Sequence, residues 1–273
     1  MNRERRGDTN RTRRAVLRGV AALTGTVVGC GSVVGASGSA LGARRATDKN
    51  ASSQQVGTSL PPGVTLFDLD GDGRFDATVE RASAEMRDEA HPDPIHVTSG
   101  ERSTVDYAAS IAEPPQPTTL GDLDELSYEY YEGPDDGRSG GDSGAGLSGP
   151  GETFLVVEND DGRHGMYLDG GGTDGASEQW QTIDVLARMR GDAAGTDGWF
   201  EYTDIESGYD GQRFGDAVSR FGADARLLRV GVGRGDAVTP TTLDAFYDNL
   251  TVGGETGRFP DSVANRVANR SPF

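Results

Sequence analysis

The sequence predicts an all-β fold: an antiparallel β-sandwich of jelly-roll type with at most one or two short helices. Three observations carry this. Short segments rich in β-branched and aromatic residues recur along the chain, separated by Gly-, Pro-, Asn- or Asp-marked turns about every eight to twelve residues. Residues 227–252 read as two strands forming a closing hairpin, joined by a Gly- and Pro-marked turn. Leu227, Leu228, Val230 and Val232 supply the apolar positions of the first, and Leu243, Phe246, Leu250 and Val252 those of the second. Cys30 is the sole cysteine, so no intrachain disulfide and no cysteine zinc site can staple the fold; a core or a metal ion must hold it.

The chain has 273 residues and a formal net charge of −18, unevenly spread. Nine of the 26 basic and two of the 44 acidic side chains fall within residues 1–45, so that stretch carries +7 and the remainder −25. A body this acidic repels nucleic acid and anionic lipid, both of which require Lys and Arg to neutralise phosphate. Lys49 is the single lysine. Abundant acids with almost no lysine resemble proteins of salt-loving archaea. Molar salt shortens the Debye length to about 3 Å and screens the self-repulsion.

Residues 1–45 read as an export signal. Thr12-Arg13-Arg14-Ala15-Val16-Leu17-Arg18 resembles the twin-arginine motif of the Tat pathway, and an uncharged Gly/Ala/Val stretch follows over 19–43. Its glycine content suits a cleaved signal better than a membrane helix. Val27-Val28-Gly29-Cys30 resembles a lipobox. Two readings stand: Cys30 is lipidated and tethers the protein outside the cell, or it leaves with a signal cleaved near residues 40–43. In the first, Cys30 is the only link to a membrane. Residues 46–62 are small and polar, a flexible linker.

The domain is expected over 63–258, with an N-terminal part at 63–117 and the jelly-roll core at 118–252. The sharpest chemical motif opens it. Asp68-Leu69-Asp70-Gly71-Asp72-Gly73-Arg74-Phe75-Asp76 sets carboxylates at alternate positions, and they converge when the chain curls at Gly73. Asp68, Asp70, Asp72 and Asp76, with the Arg74 carbonyl, then offer hard oxygens that suit Ca²⁺. The motif resembles the DxDGDG loops of extracellular calcium-binding repeats and EF-hands. It departs at the twelfth position, which is Val79, with Glu80 one residue late. The competing reading is an acidic turn in a protein acidic throughout.

Residues 77–89 have helical composition, although Thr78 and Val79 suit a strand, and His91-Pro92-Asp93-Pro94 breaks the segment. Strands are expected over 95–97 and 104–111, and then over 127–131 and 154–157. Asn159-Asp160-Asp161-Gly162 turns the chain into a hairpin partner at 165–168. Further strands are expected over 180–186 and 199–205. Residues 133–151 and 170–175 are loops, and 214–221, GDAVSR between two Phe, is the best short helix. The tail at 259–273 is polar and expected to be loosely held.

The pattern over 118–252, ending in Tyr247-Asp248-Asn249-Leu250-Thr251-Val252, resembles a jelly-roll domain of secreted bacterial and archaeal surface proteins, with lectin and carbohydrate-binding-module sandwiches as broader relatives. That resemblance implies a structural calcium ligated by an Asp of the last strand, the place Asp248 occupies; the alternative is an Asp capping a strand bulge. Trp180, Trp199, Tyr202 and Tyr209 offer faces on which a sugar could stack, or they are core. Arg234-Gly235-Asp236 spells an integrin tripeptide and reads here as a charged turn.

Three functions follow. The first is a non-catalytic, exported binding module with structural Ca²⁺ and a glycan as ligand. The second is a polysaccharide-active hydrolase or lyase, although acids are too numerous for sequence to single out a pair. The third is a purely structural envelope protein.

Overall fold

The computed structural model describes residues 61–137, 149–168, 178–191, 198–201, 212–236 and 239–268. The expected export signal with Arg13, Arg14 and Cys30, most of the linker, the 170–175 loop, and Tyr202 and Tyr209 lie outside them.

The chain forms thirteen strands in the described residues: β1 (Gly63–Asp68), β2 (Thr78–Arg81), β3 (Ile95–Thr98), β4 (Tyr107–Ala112), β5 (Leu126–Glu132), β6 (Glu152–Asn159), β7 (Gly162–Leu168), β8 (Trp180–Asp184), β9 (Phe200–Glu201), β10 (Arg226–Gly235), β11 (Asp244–Val252), β12 (Glu255–Gly257) and β13 (Val263–Ala268). Two short helices, α1 (Val185–Arg190) and α2 (Phe214–Phe221), complete it. One sheet runs β13-β1-β4-β10-β6-β7-β9. The other runs β2-β3-β11-β5-β8, with β12 added beside β11.

Eight of these strands form a jelly roll. Taking β3, β4, β5, β6, β7, β8, β10 and β11 as one long folded ribbon, its antiparallel pairs are β3 with β11, β4 with β10, β5 with β8 and β6 with β7. Rolling that ribbon up adds β5 beside β11 and β6 beside β10. The sandwich expected from the strand spacing is therefore present.

Alternation builds the core. Val64 and Leu66, Leu155 and Val157, and Val230 and Val232 point inward from one sheet; Ile95, Val97, Tyr128, Tyr130, Ala245 and Tyr247 point inward from the other, all buried. The tyrosines carry polar tips into this core. The Tyr247 hydroxyl donates to the Pro150 carbonyl at 2.8 Å, and Tyr128 shares a 3.0 Å bond with Thr153 Oγ1. Arg234 is also inside. Its guanidinium is bound by both oxygens of Asp136 and by the Gly149 carbonyl, and the pair is shut from solvent. The integrin tripeptide thus begins on a core strand, not in a turn.

Four further expectations are corrected. Strands β10 and β11 do not pair with each other; they lie in opposite sheets, because each fills a gap between two earlier strands. Residues 77–89 are not helical. Pairing of Val79 with Val97 and Glu80 with His96 outweighs local propensity, and only Ala84–Met86 makes a single 3-10 turn. The strand expected over 180–186 stops at Asp184, whose carboxylate accepts the Ala187 amide at 2.7 Å and starts α1. The tail is tied down as far as Ala268. Phe259 packs edge-on to Tyr128 and Tyr247, and β13 pairs in parallel with β1. Helix α2 forms over the expected residues.

Candidate functional site

The acidic loop after β1 curls as its glycines predict, with Gly71 and Gly73 at positive φ. Asp68 is buried and organises it: Oδ1 accepts the Gly71 amide at 2.6 Å and Oδ2 the Gly73 amide at 3.0 Å. Asp70 accepts the Asp72 amide at 3.0 Å, and Asp72 the Arg74 amide at 2.8 Å. Carboxylate oxygens of Asp68, Asp70 and Asp72 come within 4.8 Å of one another. Asp76 does not join that cluster. Three carboxylates at this spacing could hold a metal ion.

One acid escaped the sequence reading. Asp106, just before β4, is buried and clamps both ends of the loop, accepting the Leu69 amide at 3.0 Å and the Asp76 amide at 2.7 Å. Burial pushes its carboxyl above the usual range; the two amides oppose this, and the charges of Asp70 and Asp68 add to it. No local pattern marks Asp106, because its partners lie 30 and 37 residues away.

Asp248 stands apart, on the smaller sheet. Its oxygens accept the amides of Asn249 at 2.9 Å and Asp93 at 3.1 Å, at a register shift where Asn249 takes φ 49°. That is the bulge-capping role.

The two candidate stacking residues among the described residues, Trp180 and Trp199, do not share a platform. Trp199 is fully buried against Phe221, its Nε1 donating to the Arg213 carbonyl at 2.8 Å. Trp180 instead lies on the outer face of the smaller sheet, in a row the sequence did not reveal. Cross-strand register sets Glu80, His96, Phe246, Tyr131 and Trp180 directly opposite one another across five strands. His96 stacks on Phe246 at 4.1 Å and 7°. Phe246 meets Tyr131 edge-on at 5.6 Å, and Tyr131 lies tilted against Trp180 at 5.6 Å. His91 closes the row, stacked on Trp180 at 4.1 Å and 8°.

Carboxylates flank the rings. Asp244 Oδ1 lies 2.9 Å from His96 Nε2, and Glu80 3.8 Å from Nδ1. Glu129 lies 4.0 Å from His91 and accepts a bond from Thr182 Oγ1 at 2.9 Å. Burial, then the charges of Glu178 and Asp244, push the Tyr131 hydroxyl up. Of these rings Phe246 is buried with one face on His96, whereas His96, Tyr131 and Trp180 are partly exposed beside the carboxylates. Alternation in β5 and β11 shows that Tyr131 and Phe246 face outward; only the register between strands shows that they are aligned.

No protein-family model matches the chain, and no curated protein is significantly similar to it.

Proposed function

We propose that the protein is an exported, non-catalytic binding module that takes a glycan on the aromatic row of its smaller sheet. The row itself carries this reading. Flat rings match the apolar faces of sugar rings, and the flanking Glu129 and Asp244 match hydroxyl donors. The absence of Arg from the row, with Glu80, Asp244 and Glu129 beside it, favours neutral over anionic glycans. A glycan array probed with the protein in molar salt tests it. Neutral glycans are expected to bind, and Trp180→Ala to abolish the signal. No signal on any glycan, or a signal that survives Trp180→Ala, overturns the reading.

Export is read from Arg13 and Arg14, with Cys30 lipidated or lost with the signal; fractionation of cells and medium tests it, and a wholly cytosolic product sinks it. The Asp68–Asp70–Asp72 loop takes Ca²⁺ as a structural ion in this reading. Added Ca²⁺ is then expected to raise the melting temperature at fixed salt, and Asp70→Ala or Asp72→Ala to remove most of the gain. Equal melting curves with Ca²⁺ and with chelator would refute the ion.

A second reading, a polysaccharide hydrolase or lyase, draws support from His96. An imidazole bonded to Asp244, with Glu80 3.8 Å from its other nitrogen, beside the partly exposed rings is a group of general acid–base type. Release of reducing ends or unsaturated products, lost in His96→Ala, would favour it over simple binding.

A further inference from the structure

The segment between β2 and β3 is a long excursion for a hairpin, leaving the sheet at Ala82 and returning at Pro94. Its base is closed by the Ala82 amide bonded to the Pro94 carbonyl at 2.9 Å. Between these points it crosses the outer face of the smaller sheet, from β3 past β11 and β5, and delivers His91 to Trp180 on β8. The two rings are parallel within 8° at 4.1 Å, the position in which a sugar ring would stack on an indole.

We propose that His91 occupies a ring-sized ligand subsite on Trp180, and that residues 82–94 form a strap that closes this subsite until a ligand displaces it. The proposal rests on the aromatic row being the glycan site and adds how that site is gated.

The strap's attachments are polar. At its return end Arg81 Nη1 donates to the Asp93 carbonyl at 2.7 Å, and Arg81 and Arg258 lie 3.4 Å and 3.6 Å from the Asp93 carboxylate. Asn249 Nδ2 donates to the Ala90 carbonyl at 2.7 Å, the Asp93 amide donates to Asp248 at 3.1 Å, and His91 approaches Glu129 at 4.0 Å. The 3-10 turn within the strap buries no residue. Between its buried ends, Ala82 and Pro94, the strap buries no apolar side chain, and such a stretch opens at low cost. Within the strap, the shape around His91 is preset: the His91 amide donates to Asp88 Oδ1 at 2.7 Å, the imidazole Nδ1 lies 3.1 Å from the same oxygen, and the Asp88 amide donates to the His91 carbonyl at 3.1 Å. The strap therefore lifts as a formed loop. Once His91 is lifted, the subsite has an indole floor and the Glu129 carboxylate at its side, itself held by Thr182.

The experiment uses the two tryptophans of the chain as reporters. Trp199 is buried, so change in acrylamide quenching reports on Trp180. His91→Ala is expected to raise the quenching constant about twofold, since one of the two faces of the ring is uncovered. It is also expected to bind array glycans about tenfold more tightly, because a subsite open only part of the time binds with an affinity reduced by that fraction. Asn249→Gly keeps the backbone at positive φ, removes a strap anchor, touches neither ring, and is expected to move both readouts in the same direction. Quenching unchanged in both variants overturns the strap while leaving the glycan site intact. Raised quenching with weaker binding in His91→Ala also overturns it, and makes His91 a ligand contact. No glycan bound by wild type or by either variant overturns the glycan reading and the gate together.

Discussion

On the outer face of the seven-stranded sheet, Phe67, Tyr107, Ile111 and Phe154 pack over the backbone of β10 at Gly231 and Gly233. On the outer face of the smaller sheet, His96, Phe246, Tyr131 and Trp180 stand on the strands IHVT, DAFYDNLTV, LSYEYYE and WQTID, which hold no glycine. A Cβ on Gly231 would meet Ile111 Cδ1 at 2.3 Å, and one on Gly233 would meet Tyr107 Oη at 2.1 Å and Phe154 Cε2 at 2.7 Å. The first face is a second small core, its rings laid into the space the glycines leave. The second has rings that meet one another and carboxylates, and its outermost ring is covered by a polar strap. Aromatic content is thus a poor guide to function. What the rings rest on separates the packed face from the face proposed to bind a ligand.

The contrast breaks first on the packed face. Phe154 is buried and edge-on to Tyr107 at 6.3 Å. Phe154→Ala is expected to cost about 3–5 kcal/mol in denaturant melts at fixed salt, the usual loss for a buried phenylalanine. Gly233→Ala is expected to cost about 1–3 kcal/mol, because Tyr107 is tied by its hydroxyl to Glu152 and cannot swing clear freely. If Gly233→Ala proves neutral, the glycine row does not seat those rings and the two faces are alike.

Much of this was legible. The strands at 95–97, 127–131, 154–157 and 165–168 and helix α2 follow from alternation and turn residues, because those signals are local. Trp180 and Trp199 could not be told apart, because both follow turn-rich segments and only the assembled sandwich buries one. The row of His96, Phe246, Tyr131 and Trp180 joins four strands separated by long stretches of sequence, and register across strands has no local signature. Asp106 is hidden likewise, since what makes it important is which amides arrive beside it. Helix α1 was readable and missed: Asp184 before VLARMR, then Gly191 at φ 76°, is an N-cap and a C-terminal glycine around helix formers.

Acid separates the two sides more gently. Burial raises Asp106, so the folded protein takes up its proton more readily than the unfolded chain does. The penalty for its charge is therefore present above its folded pKa and relieved as pH falls toward the ordinary carboxylate value of 3.8. Asp88, in the strap, is lowered, chiefly by the His91 amide. Its contribution is present above the ordinary value and is lost as pH falls through its lower folded pKa. Melting curves against pH are expected to show wild type gaining on Asp106→Asn as pH drops toward 4, and losing its lead over Asp88→Asn only below that. Parallel curves for wild type and Asp106→Asn would mean that Asp106 is not desolvated in solution.

The smallest effect on stability is expected where the effect on binding is greatest. Trp180 is half-buried on an outer strand, and the rings it meets are Tyr131 and the strap's His91. A cross-strand aromatic pair of this kind contributes about 1 kcal/mol at most, so Trp180→Ala should melt nearly with the wild type. Trp199→Ala removes the same side chain from the core and should cost about 3–5 kcal/mol. A binding site can spare its anchor residue because the fold does not lean on it, whereas a core residue has no such freedom. Should Trp180→Ala unfold the protein as readily as Trp199→Ala, the small-sheet row would be a third packed layer, and its claim to a ligand would fall with the difference between the faces.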